Sequence, residues 1–439
     1  MQNFLQFSLN KTFRFDSRNC KEGSIFIALE GGEVSGFEFV NSAFENGAIG
    51  VISQLQIDGI QNFDINTFPE NLTQNSKFNL VVEDSLKFIQ ELAHEKFKFL
   101  KQNGTKTIAV TGSVGKTTTK ELIANTLSHH AETFANFGNY NNHIGVPVTI
   151  LNCPANCKFL VLEMGMNHAG EIKDLITLAP CDFRIITNAK ENHSGNFPNG
   201  LDGILEAKFE IMEGEKTFKT FITHELFQRF CHNPQLIEKY SKNEICIFNE
   251  KQKISHTNGK TTFEYDSRNF SVEAIYSENQ TEMFCLAILA IESILQEQIP
   301  QISLQTLKGR GNIVEWNGVK IMDESYNASP SSMKNAISNF QKMNGSKLAI
   351  LGDIRELGGD SQNFHNDIAP FLTGFDCILV GEHFAKVKID GAKYFPNYAE
   401  LKQFFDENQE FAKGYQNILV KASNGTLLWK LFDEVFATQ

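Results

Sequence analysis

The sequence predicts an α/β protein of three domains, because short apolar runs alternate with helical patterns along most of its 439 residues. A chain of this length usually needs more than one hydrophobic core. We predict a small mixed α/β domain over residues 1–104, a central P-loop domain with a doubly wound, mostly parallel sheet over 105–306, and a Rossmann-like domain over 307–439. Buried strands that alternate with helices favour parallel sheets in the last two.

The first block contains two apolar runs separated by glycine-containing turns, SIFIAL (24–29) and IGVIS (49–53). Each run has the length and the branched residues that are typical of a strand. The segment EDSLKFIQELAHEKFKFL (83–100) repeats its apolar residues at helical spacing and predicts a helix near the end of the block.

The central block opens on a strand that begins at Lys106, followed by a glycine-containing turn and a helical stretch from Lys120. The alternation continues through FLVLEMG (159–165), a helix over 170–179 and DFRIITN (182–188). Ligands of such sheets bind at the carboxyl ends of the strands, so the polar residues at those ends are the candidates for a functional site.

The third block opens near Gly309 and predicts a second, smaller nucleotide-fold-like unit. A helix follows Pro330, and the predicted strands are VKIMD (319–323), KLAILGD (347–353), DCILVG (376–381) and NILVKAS (417–423).

Composition argues against several classes of protein. The net charge of −12 disfavours a broad nucleic-acid-binding face, which needs clustered Lys and Arg. The eight cysteines form no paired framework, and Cys153 and Cys157 lack a second metal-binding pair, so reduced thiols are favoured. No segment approaches about 18 consecutive apolar residues, and no signal-peptide pattern is visible. We expect a cytoplasmic monomer without membrane insertion, whose 39 phenylalanines fill its cores.

The run VTGSVGKTTT (110–119) predicts a phosphate-binding turn. The backbone N–H groups expected to meet phosphate oxygens are those of Gly112, Val114 and Gly115. Lys116 would reach the β- and γ-phosphates, and the Thr117 hydroxyl would bind Mg²⁺. The loop is shorter than the usual G-x-x-x-x-G-K-[ST], because a valine replaces the first glycine. A surface loop is the alternative, but the flanking strand and helix favour a nucleotide site.

Two residues near strand ends and a lysine in a helical pattern are candidates for chemistry. Glu163 ends FLVLE next to the predicted cradle strand, which favours a metal-binding role over an N-cap or a salt-bridged glutamate. His193 lies just past the next strand and, taken alone, is more simply structural. Lys208 lies in the helical pattern GILEAKFEIMEG (203–214), where an ordinary solvated lysine is the simpler interpretation.

The asparagine-rich run NFGNYNNHIGVP (136–147) leaves two interpretations open. Its neutral amides suit hydrogen bonding to a polar substrate or to a metal-bound water. Alternatively, the asparagines supply left-handed backbone geometry in a turn.

Together these motifs resemble those of the Mur ligases, ATP-dependent enzymes that form amide bonds in peptidoglycan precursor synthesis. The matching strings are DSR (16–18), GSIFIALEGG (23–32), TGSVGKTTTKE (111–121), GNYNNHIGVPVT (138–149), LEMGMNHAGEI (162–172), ITNAKENH (186–193), EAKFEI (206–211), GR (309–310), MDESYNASPSSM (322–333) and LGDIRELG (351–358). They span nearly the whole chain, and the shortened cradle also fits the family.

The resemblance implies a role for each of these positions. For ATP it implies Gly112, Ser113, Val114, Gly115, Lys116, Thr117, Thr118, Arg310, Asp323 and Glu324. For the other substrates it implies Ser17 and Arg18 at the UDP end, and Asn141, Asn142, Tyr326 and Asn327. For two Mg²⁺ ions it implies Thr117, Glu163, His193 and a carbamylated Lys208. The catalytic residues would be Lys116, Lys208, His193 and Arg310.

The resemblance also implies an activity. GNYNNHIGVP, LEMG and DESYNASP favour joining D-alanyl-D-alanine to UDP-MurNAc-tripeptide through an acyl phosphate. Phe284 departs from the family where an adenine-contacting asparagine is usual, so Asn279 or backbone groups are the alternatives for adenine. The competing interpretations are a P-loop kinase or GTPase and a nucleotide-binding scaffold. Against a GTPase, no N-K-x-D motif for guanine is visible in the sequence.

Overall fold

The computed structural model describes residues 1–31, 34–70, 72, 77–190, 196–197, 199–214, 217–250, 253–257, 260–273, 276–304, 308–355, 357, 359 and 361–437. The helices are α1 (Gln2–Ser8), α2 (Val40–Glu45), α3 (Ser85–Gln102), α4 (Lys116–Ser128), α5 (Gly145–Asn152), α6 (Glu171–Leu178), α7 (Gly200–Phe209), α8 (His224–Cys231), α9 (Pro234–Tyr240), α10 (Glu278–Leu295), α11 (Pro330–Gln341), α12 (Ser361–Asn366), α13 (Tyr398–Glu407) and α14 (Leu431–Glu434). Within these ranges, no helix has the length and apolar character needed to cross a membrane.

The strands in the described part of the chain form four sheets. They are β1 (Thr12–Arg14), β2 (Ser24–Ile27), β3 (Ala48–Ser53), β4 (Gln61–Phe63), β5 (Phe78–Val81), β6 (Lys106–Thr111), β7 (Thr133–Ala135), β8 (Phe159–Glu163), β9 (Phe183–Ile186), β10 (Lys219–Thr223), β11 (Glu244–Phe248), β12 (Ile254–Thr257), β13 (Lys260–Tyr265), β14 (Arg268–Val272), β15 (Asn312–Trp316), β16 (Val319–Glu324), β17 (Lys347–Gly352), β18 (Asp376–Val380), β19 (Lys393–Phe395) and β20 (Asn417–Lys421).

The first sheet is parallel, with the strand order β1-β2-β3-β5-β4. Helix α3 begins after Asp84, whose carboxylate accepts a hydrogen bond from the backbone N–H of Lys87. Beside it Phe4, Phe68 and Phe78 pack against one another, with 4.9 Å between the ring centroids of Phe4 and Phe68. The prediction that phenylalanines fill the cores is confirmed here.

The central sheet has six parallel strands in the order β11-β10-β9-β6-β8-β7, which places β6 inside the sheet. Ile108 and Val110 of β6 join the core formed with α4 and α10, whereas Ala109 joins the core on the opposite face. Both faces are covered, as expected for a doubly wound sheet. The small antiparallel sheet β12-β13-β14 packs on the α10 side.

The third sheet has the order β15-β16-β20-β17-β18-β19, and only β15 runs antiparallel to its neighbour. Ile350 belongs to the core on one face, and Ala349 and Leu351 to the core on the other. Strands β17 and β20 pair in parallel, with Leu351 opposite Lys421. The loops that follow these two strands therefore meet at one edge of the sheet.

The predicted α/β class with mostly parallel sheets is confirmed, and each apolar run predicted as a strand forms one. Helix α4 begins at Lys116, one turn earlier than the predicted start at Lys120. Gly115 directly before it has φ 81° and serves as its N-cap. Each large sheet lies within one predicted block, although the domain boundaries themselves stay a prediction.

Candidate active site

The turn between β6 and α4 has a backbone shape that requires glycine. Gly112 has φ 145° and Gly115 has φ 81°, in a region that L side chains rarely adopt. A Cβ on Gly112 would also overlap the Thr187 hydroxyl. The side-chain oxygen of Asn188 accepts a hydrogen bond from the backbone N–H of Val114 at 2.9 Å. The turn is thus fixed at the N-terminus of α4, where backbone N–H groups and the helix dipole favour an anion.

Lys116 lies in the first turn of α4 and folds back over the glycine turn. Its ammonium group donates hydrogen bonds to the carbonyl oxygens of Gly112 and Ser113 at 2.9 and 3.2 Å. Burial lowers the pKa of Lys116, the negative charge of Glu163 opposes this shift, and the positive charge of Arg310 adds to it. The cradle residues that line the cavity beside it are Ser113, Val114, Gly115, Thr117 and Thr118.

Glu163 ends β8 beside the cradle strand β6, and only 2% of it is exposed. One carboxylate oxygen accepts a hydrogen bond from the Thr117 hydroxyl at 2.6 Å, and the other accepts one from Nδ2 of Asn141 at 2.7 Å. In the described part of the chain, no basic side chain forms an ion pair with it, so the salt-bridge alternative finds no support. A buried carboxylate beside a hydroxyl supplies the hard oxygen donors that Mg²⁺ prefers. The residues present therefore fit Mg²⁺.

The asparagine run braces this carboxylate from behind. Asn136 is 1% exposed, and its side-chain amide bonds both the backbone N–H and the carbonyl of Glu163, at 2.8 and 2.9 Å. The buried ammonium of Lys120 donates to the Asn136 carbonyl oxygen. Asn142 accepts a hydrogen bond from the backbone N–H of Gly145 at 2.9 Å, at the start of α5. None of the run's asparagines, all of which are described, has a positive φ, so the left-handed interpretation is wrong.

Lys208 lies in α7 and is only 3% exposed, so its interpretation as a solvated lysine is wrong. A sequence signal for this burial exists, because Lys208 follows the buried Ile204 by one helical turn. Burial, and then the positive charge of Lys116, hold the pKa of its ammonium well below the usual value. The predicted metal ligand His193 lies outside the described residues.

The wall opposite the cradle comes from the third block. Arg310 places its guanidinium over the ring of Tyr326, 3.9 Å from the centroid. Glu324, at the end of β16, and Asn327 line the same wall. The structure thus brings four of the predicted third-block residues to the cavity that contains the cradle.

Asp323 lies beneath this wall instead of on its surface. It is 0% exposed, and its carboxylate accepts hydrogen bonds from the backbone N–H of Gly309 at 2.8 Å and from the Ser325 hydroxyl at 2.6 Å. Burial raises the pKa of Asp323, and the hydrogen bonds from Ser325 and Gly309 oppose that shift. Asp323 therefore holds the backbone next to Arg310, and the structure does not bring its carboxylate to the cavity.

One cavity of about 690 Å³ joins the two walls. This volume is within the range of small-molecule sites. Beyond the cradle, it is lined by Tyr276, Asn279, Gln280, Met283 and Phe284. Phe284 is 1% exposed and meets the Tyr276 ring edge to face at 4.9 Å, so this part of the cavity offers an apolar floor next to the amide of Asn279.

The predicted UDP contacts lie in the first block and are not part of this cavity. Ser17 is buried, and Arg18 is exposed with its guanidinium paired to the Asp16 carboxylate at 2.7 Å. The hydrogen bond from Arg18 lowers the pKa of Asp16. The structure therefore separates these two residues from the cradle residues.

The loop after β17 is held by two buried polar side chains. The Asp353 carboxylate accepts a hydrogen bond from the backbone N–H of His383 at 3.0 Å. His365 is 0% exposed, and its Nε2 accepts one from the backbone N–H of Ile354 at 3.0 Å. The ring proton is therefore assigned to Nδ1, which donates to the Ser361 carbonyl at 2.7 Å.

Acidification is expected to loosen this loop. Burial lowers the pKa of His365 below its usual 6.5; the stacked His383 contributes to this shift, and Asp353 and the Ser361 carbonyl oppose it. The unfolded chain therefore takes up a proton more readily than the folded one. The contribution of His365 to stability is complete above pH 6.5 and is lost as the pH falls through the folded value.

Hydrogen exchange at the Ile354 amide measures this effect. After correction for the intrinsic rate, we expect its protection to fall as the pH drops below 6.5. The variant His365→Gln lacks this imidazole, and its protection should respond much less to pH over the same range. An identical pH response in both proteins would contradict the assignment to His365.

Comparison with protein families agrees with this geometry. Residues 110–290 match the family described as "Mur ligase middle domain". Residues 309–417 match the one described as "Mur ligase, glutamate ligase domain". The first match contains the cradle, Glu163 and Lys208, and the second contains Arg310 and the wall opposite.

Several curated relatives are UDP-N-acetylmuramoyl-tripeptide-D-alanyl-D-alanine ligases. The one from Bacillus subtilis is 32% identical, and the match covers 96% of this chain and 92% of the relative. The one from Rickettsia prowazekii is 29% identical over 96% of this chain and 94% of the relative.

Solved structures of similar proteins cover almost all of the chain. A crystal structure of MurF from Acinetobacter baumannii has a TM-score of 0.79 at 25% identity, covering 99% of this chain and 98% of that one. The MurF ligase of Thermotoga maritima in complex with ADP has a TM-score of 0.76 at 25% identity, covering 98% and 97%. From its sequence and its fold alike, the chain belongs to the Mur ligase family.

Proposed function

We propose that this protein joins D-alanyl-D-alanine to UDP-N-acetylmuramoyl-tripeptide in the cytoplasm, with conversion of ATP to ADP and phosphate. The observation that carries the proposal is the cavity in which Lys116 and the Thr117–Glu163 pair face Arg310. The relatives of nearly equal length with this activity in their names support it.

The chemistry must first make a carboxylate into an acyl donor. A carboxylate oxygen of the tripeptide attacks the γ-phosphorus of ATP, the bond to ADP breaks, and an acyl phosphate forms. The dipeptide amine then attacks the acyl carbon, the nitrogen loses a proton, and phosphate leaves. Several anionic groups meet during these steps, so the site must offset their mutual repulsion.

The residues predicted for the site suit this requirement. Lys116 would contact the β- and γ-phosphates, and Arg310 would reach the γ-phosphate from the opposite wall. Thr117 and Glu163 would hold Mg²⁺, and carbamylated Lys208 with His193 would complete sites for two ions. Bound Mg²⁺ supplies a Lewis acid that draws charge from the phosphate oxygens. The protein's own side chains would align the reacting groups.

We assign the other substrate contacts from the cavity lining and from the resemblance to the family. Adenine would lie on the apolar floor at Phe284, with the Asn279 amide as its hydrogen-bonding partner. Ser17 and Arg18 would bind the UDP end, and Glu324 the ribose. Asn141, Asn142, Tyr326 and Asn327 would border the reacting ends of the substrates. Because these contacts come from separate blocks, closure between them would assemble the full site.

Phosphate release with defined substrates tests this proposal. We expect release only when ATP, UDP-MurNAc-tripeptide and D-alanyl-D-alanine are all present, with a pentapeptide product of the summed mass less water in mass spectrometry. A simple nucleoside triphosphatase would release phosphate from ATP alone, and a scaffold would release none. Either outcome would refute the proposal, and faster ligation of a single amino acid would reassign the amine substrate.

A further inference from the structure

The third-sheet edge of the cavity carries a guanidinium that the proposed phosphate chemistry leaves unused. Arg355 follows β17, and its backbone N–H donates to the Ser423 hydroxyl at 2.9 Å, in the loop after β20. Its guanidinium lies against Gly425, where an added Cβ would come within 2.8 Å of Cζ. Arg355 is exposed and lines the cavity, and no acidic side chain in the described ranges forms an ion pair with it.

The remaining cations of the cavity are already engaged. Lys116 donates hydrogen bonds to the carbonyls of the glycine turn. Arg310 lies on an aromatic ring, close enough for its charge to act on Lys116. Lys421 is almost fully buried and pairs with the Glu324 carboxylate at 3.2 Å. On the central-block side, the positive charge of Lys190 interacts with the carboxylate of Glu282. Arg355 is therefore the cation of this lining, as far as it is described, that is best placed for an anion from solution.

The amine substrate brings such an anion. An extended dipeptide separates its amine from its carboxylate by roughly 7 Å, about two residue lengths. When the amine reaches the activated carbonyl, the carboxylate must lie away from the phosphates, because like charges repel. A cation at the third-sheet edge, apart from the cradle, meets this need.

We propose that Arg355, together with the Ser423 hydroxyl, binds the free carboxylate of the incoming dipeptide and so selects amine substrates that end in a carboxylate. The inference rests on the proposed function and adds a specificity-determining residue to it. The planar guanidinium suits this task, since it donates two parallel hydrogen bonds to a carboxylate. The Arg355 guanidinium lies so close to Gly425 that it can keep this position only while residue 425 has no side chain.

Steady-state kinetics with D-alanyl-D-alanine and its C-terminal carboxamide test this inference. In Arg355→Gln we expect KM for the dipeptide to rise roughly 10- to 100-fold with little change in kcat, the effect of losing charge-assisted hydrogen bonds. The KM values for ATP and UDP-MurNAc-tripeptide should not change. The wild-type protein should prefer the free carboxylate over the carboxamide by a similar factor, and the variant should lose this preference.

Two further variants serve as controls. Arg355→Lys keeps the charge without the paired donors and should recover only part of the preference. Lys402→Ala removes a half-buried cation of α13 that pairs with Asp406, and every kinetic constant should stay as in the wild type. An unchanged carboxylate preference in Arg355→Gln, or a rise in KM for UDP-MurNAc-tripeptide instead, overturns the inference alone. Absence of ligation by the wild-type protein overturns the proposed function and the inference with it.

Discussion

Replacing Lys116 with alanine is expected to lower kcat/KM for ligation by at least about 100-fold while the fold persists. A loss of this size corresponds to about 3 kcal/mol of transition-state stabilisation, the typical effect of removing one preorganised contact to developing charge. Phosphate release measures the rate, and thermal unfolding measures the fold.

The physical reason lies in the charges of the free protein. The positive charge of Arg310 lowers the pKa of Lys116. The positive charge of Lys116 in turn lowers the pKa of Lys208. A buried ammonium beside Arg310 is unfavourable until a polyphosphate arrives. Removal of Lys116 ends the cost of burying its charge and its repulsion from Arg310, which outweigh the lost attraction of Glu163, and it removes attraction from the bound state. We expect the midpoint of thermal unfolding to stay unchanged or to rise.

A matched control separates this effect from the loss of a lysine in general. Lys98 lies on the exposed face of α3 and pairs only with Glu95 among the described residues, at 2.8 Å. Exposed pairs of this kind contribute about 0–1 kcal/mol, so Lys98→Ala should change neither rate nor stability. A Lys116→Ala protein that retained more than about a tenth of the wild-type rate would contradict the role given to Lys116.

The parts of the site that the sequence predicts are those governed by local pattern. The strand before the cradle, the glycine turn and the carboxylate at the end of β8 all follow from apolar runs and their punctuation. The buried environment of Glu163 does not, because it depends on Asn136 and Lys120. The sequence predicts a helix start at Lys120, whereas α4 begins at Lys116. The two lysines therefore lie on one face of the helix, one turn apart.

Long-range packing explains the remaining gaps. Arg355 and Ser423 are 68 residues apart, and only the pairing of β17 with β20 brings their loops together. The resemblance implies Asp323 as an ATP contact, but its carboxylate is held by the backbone of Gly309 in the turn before β15. Pattern indicates that a residue lies at a strand end, and tertiary hydrogen bonds decide whether its side chain is free for a ligand.

Lys208→Ala is the second variant expected to lose ligation by about 100-fold or more, and short carboxylates should restore part of it. In the free protein the Lys208 amine is buried and its pKa is well below the usual value, so it is more often neutral than an exposed lysine. A neutral amine adds to CO₂ and releases a proton, which leaves a carbamate. Formate or acetate would occupy the space left by alanine and supply the missing carboxylate. Lys208→Met fills that space, so its activity should not be restored.

The carbamate at Lys208 carries a negative charge, so its stability depends on the charged groups around it. The carbamate would be negative among Glu163, Glu171 and Glu210, whose charges already act on Lys208. A cation must offset this repulsion, so the carbamate resonance from ¹³C-bicarbonate should strengthen with Mg²⁺ and weaken in Lys116→Ala. It should be absent from Lys208→Met. An active, bicarbonate-supplied sample without that resonance would show that the buried amine itself serves in the reaction.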